Sequence, residues 1–368
     1  MSGTPQYSDE QVTWIRDRVA EAETRDEAVE VIQGAYPAAT YQSVRVLLKA
    51  RTGETFGAIL NGGPPEPPPP ATAPFEVEPL PPEGIPMEEL LDDRCRRYKL
   101  KAARKEAEKL IEVEIKLDGP IALFHYGDPH VDDDGCDLPT LRRHAALVQQ
   151  TEGMFACNVG DTTNNWIGRL AHLYKDQSTS LADARRLLEW FLSQHRWLYL
   201  VLGNHDEWRD SELIRQFAAR TSSLVQSHSA RLALNFPNGK RVTVCARHNF
   251  KGHSMYNTAH GQNKAATFGQ RDHILIAGHT HTSGYNIVKD QLTGMLSHCV
   301  QVASYKTHDR YAEEHGFKDH SFGPCVTTII DPDAAEETGL VQTIWNPELA
   351  ALTLGAMRAR YAAKQRCP

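Results

Sequence analysis

A chain of 368 residues is long enough for one large domain and one smaller domain. Hydrophobic residues make up 40% of it, which is enough for a core, whereas a mean hydropathy of -0.48 and the lack of a long apolar stretch exclude a membrane protein. A net charge of -7 argues against a protein that coats nucleic acid over its whole surface, but it leaves room for a local basic patch.

The seven cysteines are scattered along the chain and form no C-x-x-C pair. Because a disulfide framework or a cysteine-zinc site needs paired spacing, this pattern favours reduced thiols and a cytoplasmic protein. The first residues lack the basic and apolar regions of a signal peptide, which predicts the same compartment.

Residues 1–58 are predicted to form a small all-α domain. Three short segments carry apolar residues at helical spacing, and the third, "TYQSVRVLLKART", follows the turn "GAYP" and is basic. A Gly-containing turn before a basic third helix resembles a helix-turn-helix domain, in which Arg45, Lys49 and Arg51 would contact DNA. A small bundle that binds protein or caps a neighbouring domain fits the same pattern.

The proline-rich stretch 59–86 separates this domain from the rest of the chain. So much proline permits neither a helix nor a central strand, and it predicts an extended, semi-rigid linker. Residues 87–117 are then predicted to form a basic connecting helix. Either a solvated helix face or a contact with a phosphate-rich partner such as nucleic acid explains its basic half.

Residues 118–368 are predicted to form an α/β domain around buried strands. The runs "PIALFHY", "MFACNV", "WLYLVL", "RVTVCA" and "HILIA" have the composition of strands, and "LPTLRRHAALVQQ" and "STSLADARRLLEWFLSQH" have that of helices. Such alternation is typical of a layered α/β fold. The last segment, "VQTIWNPELAALTLGAMRARYAAKQ", is predicted to pack as a strand and a helix.

Each of the five predicted strands ends in residues that bind metal ions. In chain order these ends are "GDPH", "GD", "GNHD", "RHN" and "GHTH". In open α/β sheets, ligands bind beyond the carboxyl ends of the strands, so these residues are expected at one edge of one sheet. His279 and His281 lie two positions apart and direct two ring nitrogens to the same side. They complete a predicted metal site.

The ordered set of motifs resembles that of the calcineurin-like metallophosphoesterase superfamily: D-x-H, G-D, G-N-H-D/E, H and G-H-x-H. The resemblance covers about residues 118 to 330. It implies a two-layer β-sandwich flanked by helices, with two metal ions at its edge. The tandem layout with a helix-turn-helix-like region is also similar to phage- or prophage-type members of this superfamily.

The resemblance implies seven ligands for two divalent metal ions. These are Asp128, His130 and His281 for the first ion, Asn204, His248 and His279 for the second, and Asp161 bridging both. A bridging ligand needs two oxygen atoms, which a carboxylate has and an imidazole lacks. The mixture of imidazole, carboxylate and amide oxygen suits Mn²⁺, the preferred ion here, with Fe²⁺, Ni²⁺ or Zn²⁺ as alternatives.

The implied reaction is hydrolysis of a phosphoester by a hydroxide that the two ions share. His205 lies next to a ligand in the sequence, and we expect it to contact the phosphate and to protonate the leaving alkoxide. Asp206 follows directly and is expected to orient that imidazole.

His248 is preferred as the ligand of the fourth motif because it follows its strand most closely, with His253 and His260 as rivals. His253 and Asn257 are then candidates for substrate contact.

The protein-phosphatase branch carries an Arg after its second motif, but the corresponding stretch here is "GDTTNNWIGR". Asn164 or Asn165 is therefore a candidate phosphate contact. The acidic run 132–134 is predicted to be a solvated loop, and His125, inside the first strand, a packed core histidine.

The predicted activity is that of a phosphodiesterase acting on nucleic acid or nucleotides, with DNA as a partner of the N-terminal domain. One alternative is a phosphomonoesterase or cyclic-nucleotide phosphodiesterase that acts on small molecules. Another is a non-catalytic DNA-binding scaffold that keeps the metal-binding fold. No pattern in the sequence indicates the oligomeric state.

Overall fold

The computed structural model of the chain describes residues 7–62, 84–308 and 322–366. The chain forms two compact units, Met1–Pro86 (the N-terminal unit) and Met87–Pro368 (the C-terminal unit). Most of the predicted linker, residues 63–83, lies outside the described residues. The predicted domain limits stay predictions.

Four helices make up the described part of the N-terminal unit: α1 (Asp9–Glu21), α2 (Arg25–Ala35), α3 (Tyr41–Thr52) and α4 (Phe56–Leu60). Each helix begins after a Ser or Thr whose side chain accepts a hydrogen bond from a backbone N–H three residues on. The apolar faces share one core, in which Ile15, Ile32 and Leu48 are fully buried. The predicted all-α segment is confirmed.

Helix α4 runs to Leu60, with Phe56 and Ile59 buried in the core. One detail of this unit differs from the sequence prediction. Gly34, expected in the turn before the third helix, lies inside α2.

Helix α5 (Met87–Ala107) is shorter than the predicted helix. After it, Ile111–Glu114 forms strand β1, in which Ile111 and Val113 pack against the core. The sequence "IEVE" alternates with a period of two residues, which is a strand pattern and explains why the helix does not continue. None of the residues of α5 is buried by the described part of the chain.

The other elements of the C-terminal unit alternate between helix and strand. They are β2 (Ile121–Tyr126), α6 (Leu138–Gln150), β3 (Met154–Asn158), a 3₁₀ helix (Gly168–Asp176), α7 (Leu181–Ser193), β4 (Tyr199–Leu202), α8 (Asn204–Arg209), α9 (Ser211–Thr221), β5 (Leu224–Ser227), β6 (Ser229–Asn235), β7 (Arg241–Arg247), α10 (His260–Phe268), β8 (Ile274–Ala277), β9 (Gly284–Lys289), β10 (Leu296–Gln301), β11 (Cys325–Ile330), a second 3₁₀ helix (Glu336–Thr338), β12 (Val341–Ile344) and α11 (Pro347–Arg366). Among the described helices, none is both long and apolar enough to span a bilayer.

The described strands form two mixed six-stranded sheets. The first sheet has the order β1-β6-β7-β8-β10-β9, and the second has the order β12-β11-β2-β3-β4-β5. Strands β2 to β5 run parallel to one another, and so do β7, β8 and β10. Because parallel strands end at the same edge of a sheet, the residues that follow β2, β3 and β4 gather together, as do those that follow β7 and β8.

One apolar core lies between the two sheets. It joins side chains such as Leu123 and Val201 of the second sheet to Val244 and Ile276 of the first. A second cluster packs the outer face of the second sheet against α6, α7 and α11, and a third packs α10 against the first sheet. The predicted two-layer β-sandwich flanked by helices is confirmed.

His125 of β2 is the core histidine that the sequence predicts. It is fully buried, and its ring nitrogens lie 2.7 Å from the Tyr199 hydroxyl and 2.9 Å from the Thr328 hydroxyl. Burial lowers the pKa of His125 to about 3. The ring is therefore neutral at physiological pH and contributes to packing.

Candidate metal centre

The predicted ligands come together where strands of the two sheets end. Asp128 and His130 follow β2, Asp161 follows β3, Asn204 begins α8 directly after β4, His248 follows β7, and His279 and His281 follow β8. Among the described residues, two groups of three side chains have possible metal-binding atoms within 4.8 Å of one another.

The first group, cluster 1, consists of Asp128, His130 and His281. The Nε2 atoms of His130 and His281 lie 3.3 Å apart, and Nε2 of His281 lies 3.4 Å from Oδ2 of Asp128. Asp128 follows a strand of the second sheet, whereas His281 follows a strand of the first. Cluster 1 therefore spans the two layers of the sandwich.

The second group, cluster 2, consists of Asp161, His248 and His279. Nε2 of His248 lies 3.1 Å from Oδ2 of Asp161 and 3.0 Å from Nδ1 of His279. The same nitrogen lies 3.1 Å from Oδ1 of Asn204, so the amide joins the cluster. Nδ1–H of His248 donates to the Val159 carbonyl at 3.0 Å, which orients the ring with Nε2 toward the cluster.

The chemistry of the donors fits two divalent metal ions. Oδ1 of Asp128 and Nδ1 of His130 are buried and have no hydrogen-bond partner among the described residues. A buried carboxylate oxygen without a partner is costly. Pairs of ring nitrogens that face each other at 3.0 and 3.3 Å also need a proton or a cation between them. Seven such donors at one edge suit borderline divalent ions.

The two clusters adjoin through Asp128. Its Oδ2 accepts the backbone N–H of His279 at 2.6 Å, and its Oδ1 lies 4.0 Å from Nδ1 of His248. Asp161 in turn accepts the backbone N–H of His205 at 3.0 Å. The bridging role predicted for Asp161 stays a prediction.

Backbone strain is concentrated at this edge. Five non-glycine residues with positive φ lie here: His130 (41°), Asp161 (50°), Asn165 (41°), His279 (71°) and His281 (52°). For a residue with a side chain this conformation costs about 1–2 kcal/mol. The surrounding packing must impose it, and the turns at His130, Asp161, His279 and His281 bring their side chains into the clusters.

Two glycines in the motifs are required because ligands pass close to them. A Cβ atom on Gly203 would lie 2.1 Å from Oδ1 of Asp161, and one on Gly278 would lie 2.2 Å from Oδ1 of Asp128. Both distances are far below contact, so only glycine lets the strand ends approach this closely.

The electrostatics of cluster 2 favour a positive charge. Burial by itself lowers the pKa of His248, but the carboxylates of Asp161 and Asp128 raise it to about 10. Burial raises the pKa of Asp161, but His248 and His205 outweigh this effect and hold it well below its ordinary value. Burial, together with the neighbouring histidines, lowers the pKa of His130. The carboxylates of Asp161 and Asp128 therefore attract a cation to cluster 2.

His205 lies beside the clusters with one nitrogen fixed. Its Nδ1–H donates to the backbone carbonyl of Asn164, and its ring packs against Trp208 with centroids 4.4 Å apart. Nε2 lies 3.9 Å from Oδ2 of Asp161, and 15% of the side chain is exposed. Nε2 is thus the ring nitrogen that the backbone does not hold, and it lies on the side of Asp161. The sequence prediction missed Trp208, although an aromatic residue three positions along a helix faces the same side.

Asp206 differs from its predicted role. Its carboxylate accepts the backbone N–H groups of Thr162 and Gly203, both at 2.9 Å, and it makes no hydrogen bond with the ring of His205. The reason is that a carboxylate in the first turn of α8 folds back to cap that turn. Asp206 therefore ties together the loops after β3 and β4. Burial and the charge of Asp161 raise its pKa to about 7.

The three predicted substrate contacts lie in different surroundings. Asn165 is buried and donates from Nδ2 to Asp210 at 2.7 Å and to the carbonyl of His205 at 3.2 Å. His253 is exposed and Asn257 half-buried, and in the described chain neither is hydrogen-bonded to the clusters. All three stay predictions.

Two residues of the acidic run 132–134 are buried, in contrast to the predicted solvated loop. Asp132 accepts the backbone N–H of Asn164 at 2.8 Å. Asp133 accepts Nδ2 of Asn164 at 2.9 Å and pairs with Lys306 at 3.0 Å, while Asp134 is exposed. The run thus holds the loop whose carbonyl fixes His205. Runs of acidic residues usually lie in solvent, so the sequence pattern alone does not reveal this function.

The predicted nucleic-acid contacts of the N-terminal unit lie on α3. Arg45 is exposed and makes no ion pair with a described residue. Lys49 donates to the carbonyl of Gly53 at 2.8 Å, and Arg51 pairs with Asp9. Arg45 is therefore the member of the set with the fewest internal contacts.

The two six-stranded sheets and the two clusters have the arrangement expected from the order of the motifs. No family model matches the chain, and no curated protein matches its sequence. The chain is similar in fold to a 5'-nucleotidase precursor from Thermus thermophilus, with 14% identity, a TM-score of 0.34 and coverage of 67% of this chain and 59% of that one.

Two further solved structures are similar. The calcineurin-like phosphoesterase YfkN from Bacillus subtilis shows 11% identity, a TM-score of 0.32 and coverage of 61% of this chain and 90% of that one. The NAD nucleotidase NadN from Haemophilus influenzae shows 9% identity and a TM-score of 0.32, with coverage of 61% and 49%. The chain spans 59% of the length of the first of these three proteins and 49% of the length of the third.

Proposed function

We propose that this protein is a binuclear-metal-dependent phosphodiesterase that acts on phosphodiesters of nucleic acid or nucleotides. The observation that carries the proposal is the pair of adjoining clusters with Nε2 of His205 beside them. A metal site that only stabilises the fold does not require a histidine beside it whose Nδ1 is fixed by the backbone and whose Nε2 is directed at the cluster.

Divalent ions held by clusters 1 and 2 would act as Lewis acids toward the phosphoryl group and would acidify the attacking water. The remaining step, proton transfer to the leaving group, is assigned to His205. The Asn164 carbonyl accepts the Nδ1 proton of His205, so a proton that the ring passes to a substrate would be held at Nε2. From there it can pass to the leaving alkoxide, a step typically worth about 10²–10⁴-fold in rate.

The residues that follow Asp161 support a diester over a monoester. Asn164 and Asn165 stand where the protein-phosphatase branch carries an Arg, and an amide supplies no positive charge. A phosphodiester carries one negative charge and needs less compensation than a dianionic monoester.

The first experiment compares hydrolysis of bis-p-nitrophenyl phosphate and p-nitrophenyl phosphate after chelation, with Mn²⁺, Ni²⁺, Zn²⁺ or Mg²⁺ added back. We expect Mn²⁺ to restore cleavage of the diester. Cleavage of the monoester alone would replace the phosphodiesterase with a small-molecule phosphatase. A protein that binds two ions and turns over neither ester would be a metal-binding scaffold.

Asp161→Asn tests the clusters directly. The amide removes the negative charge of cluster 2, and we expect turnover to fall by at least about 10³-fold and metal content, measured by mass spectrometry, to drop. Glu189→Gln is the matched control, because Glu189 is exposed on α7. Equal turnover in both variants would contradict the proposed site.

For the N-terminal unit we propose DNA binding through α3, on the strength of the exposed Arg45. Arg45→Glu is expected to weaken the affinity for DNA and to reduce the salt dependence of binding. Gln42→Glu, also exposed on α3, introduces a glutamate without removing a cation and serves as the control. If both variants bind DNA like the wild type, this unit has another partner.

A further inference from the structure

One peptide of the loop after β3 fixes the tautomer of His205. The backbone carbonyl of Asn164 accepts the Nδ1 proton of His205, and Asn164 is only 1% exposed. Because a carbonyl can only accept, this contact requires a proton on Nδ1 and leaves Nε2 of the neutral ring as an acceptor. The direction of a single carbonyl group therefore decides which ring nitrogen of His205 is directed at Asp161.

The acidic run 132–134 holds Asn164 from one side. Oδ1 of Asp132 accepts the backbone N–H of Asn164 at 2.8 Å, and Oδ2 of Asp133 accepts Nδ2 of Asn164 at 2.9 Å. Both acids are buried. Asn164 is thus held at its backbone nitrogen and at its side chain together.

The next residue, Asn165, is held from the other side. Its Nδ2 donates to Asp210 at 2.7 Å and to the backbone carbonyl of His205 at 3.2 Å. Its φ of 41° is one that the surroundings must impose. The peptide whose carbonyl faces His205 joins Asn164 to Asn165, and since both residues are fixed, this carbonyl has one direction.

The charge of Asp133 is balanced by a buried cation. Nζ of Lys306 lies 3.0 Å from Oδ2 of Asp133, and the two side chains are 6% and 2% exposed. The same Nζ lies 5.1 Å from the ring centroid of Trp166, which packs beside it. Apolar side chains of similar volume often stabilise such a position equally well, so a buried ion pair here points to a role other than stability.

We propose that Asp133 is a positioning residue for His205 and that it acts through Asn164. With this contact in place, the neutral ring holds its proton at Nδ1. Without it, the peptide is free to turn, and either ring nitrogen can carry the proton. The inference rests on the proposed function only for what His205 does in hydrolysis, because the tautomer is a property of the ring and its surroundings.

The first test is the tautomer of His205, measured from the ¹⁵N shifts of its ring nitrogens in the full chain. The sample contains Zn²⁺, which is diamagnetic, and His205→Ala identifies the signals. We expect the wild type to show the Nδ1–H tautomer alone. Asn164→Ala, which keeps the peptide carbonyl and the Asp133–Lys306 pair, is expected to show a mixture of both tautomers.

Two further variants test the acidic run itself. Asp133→Asn should give the same mixture as Asn164→Ala, but it leaves the Lys306 cation buried beside a neutral amide and is the variant at risk of misfolding. The matched control is Asp134→Asn, which makes the same change in the same run. Asp134 is exposed and accepts the backbone N–H of Ser178, so the wild-type tautomer is expected.

The second test is a double-mutant cycle on the hydrolysis of bis-p-nitrophenyl phosphate. We expect Asn164→Ala to lower kcat by about 10²-fold, because a misplaced ring no longer meets the substrate. In the His205→Ala background the same substitution should change kcat by no more than about twofold. A contact that only stabilises the loop would lower kcat by the same factor in both backgrounds.

Three results would overturn the inference. They are both tautomers in the wild type, the wild-type tautomer in Asn164→Ala, and an equal loss of kcat in both backgrounds of the cycle. Failure of the proposed function gives a different result, in which His205→Ala keeps the wild-type kcat. The proton transfer assigned to His205 would then be wrong, and the tautomer measurement would still decide the role of Asp133.

Discussion

The N-terminal unit and the edge that carries the clusters follow opposite rules. In the N-terminal unit, hydroxyl side chains cap the helices, apolar residues at helical spacing form the core, and charged residues such as Arg16 and Glu54 pair at the surface. At the edge, carboxylates and imidazoles are buried and non-glycine residues adopt positive φ. The local conformational preferences of the residues explain the structure of the N-terminal unit, but they do not explain that of the edge.

The difference shows what maintains the edge. The turns at this edge are strained and its charged groups are removed from water, and both features are unfavourable. The packing of the two sheets must therefore supply the free energy that keeps them in place. Departures of this kind are expected where a protein performs its function. The same type of substitution should therefore have opposite effects in the two regions.

The largest effect is expected for Gly203→Ala. The new Cβ atom would lie 2.1 Å from Oδ1 and 2.6 Å from the backbone nitrogen of Asp161, so this ligand must move. We expect turnover to fall by about 10³-fold, equivalent to about 4 kcal/mol in the barrier. Steady-state hydrolysis of the diester measures it. Wild-type turnover in this variant would show that Asp161 does not need its observed position.

Ile15→Ala probes the core of the N-terminal unit. Ile15 is fully buried there, and its truncation is expected to lower the free energy of unfolding of this unit by about 2–5 kcal/mol. Calorimetry of the full chain should show a shift in the transition of this unit, while hydrolysis of small esters is unchanged. If turnover fell together with stability, the clusters would depend on this core.

Acid should destabilise the sandwich and spare the helices. Burial lowers the pKa of His125 to about 3, compared with 6.5 for an ordinary histidine. Between these values the unfolded chain binds a proton that the folded chain does not, so stability falls as the pH falls from 6.5. The loss is at most about 1.4 kcal/mol per pH unit for one such group.

The measurement is urea unfolding from pH 7 to pH 4. The first 60 residues contain no histidine, so the N-terminal unit should not show this dependence. His125→Asn should be less stable at pH 7 and have a shallower dependence on pH. An unchanged slope would mean that His125 is protonated in the folded chain.

The smallest effect, with the opposite sign, is expected for Gly34→Ala. Gly34 lies in α2, its φ is not positive, and nothing lies within 4 Å of an added Cβ atom. Higher helix propensity should stabilise the N-terminal unit by about 0.5–1 kcal/mol. Thermal unfolding measures it. A loss of stability would show that α2 needs a flexible residue here.

The sequence predicts the parts of the fold in which burial and composition agree. Every residue of strands β2 and β8 is buried, and all of them except His125 are apolar or aromatic, so both strands are predicted. Strand β10 contains Ser297, His298 and Gln301, which are buried although polar, and it is missed. Edge strands such as β9 are missed because much of their surface is exposed.

At the site, the motifs predict which residues gather but not how they are held. The positive φ of His279, the burial of Asp133 and the hydrogen bond from Thr162 to Asp206 all depend on contacts with distant segments. Residue type and local spacing carry no information on such contacts. For that reason the sequence does not predict that Asp206 joins the loops after β3 and β4.

The origin of the ligands in both sheets has a consequence for folding. His130 and His281 are 151 positions apart in the chain, and each follows a strand of a different layer. Neither cluster exists until the layers have packed, so we expect metal uptake to be a late event that nucleates nothing. Once bound, the ions would link residues of the two sheets, stabilise their packing and slow unfolding. The supply of metal would then govern the lifetime of the folded protein as well as its rate of turnover.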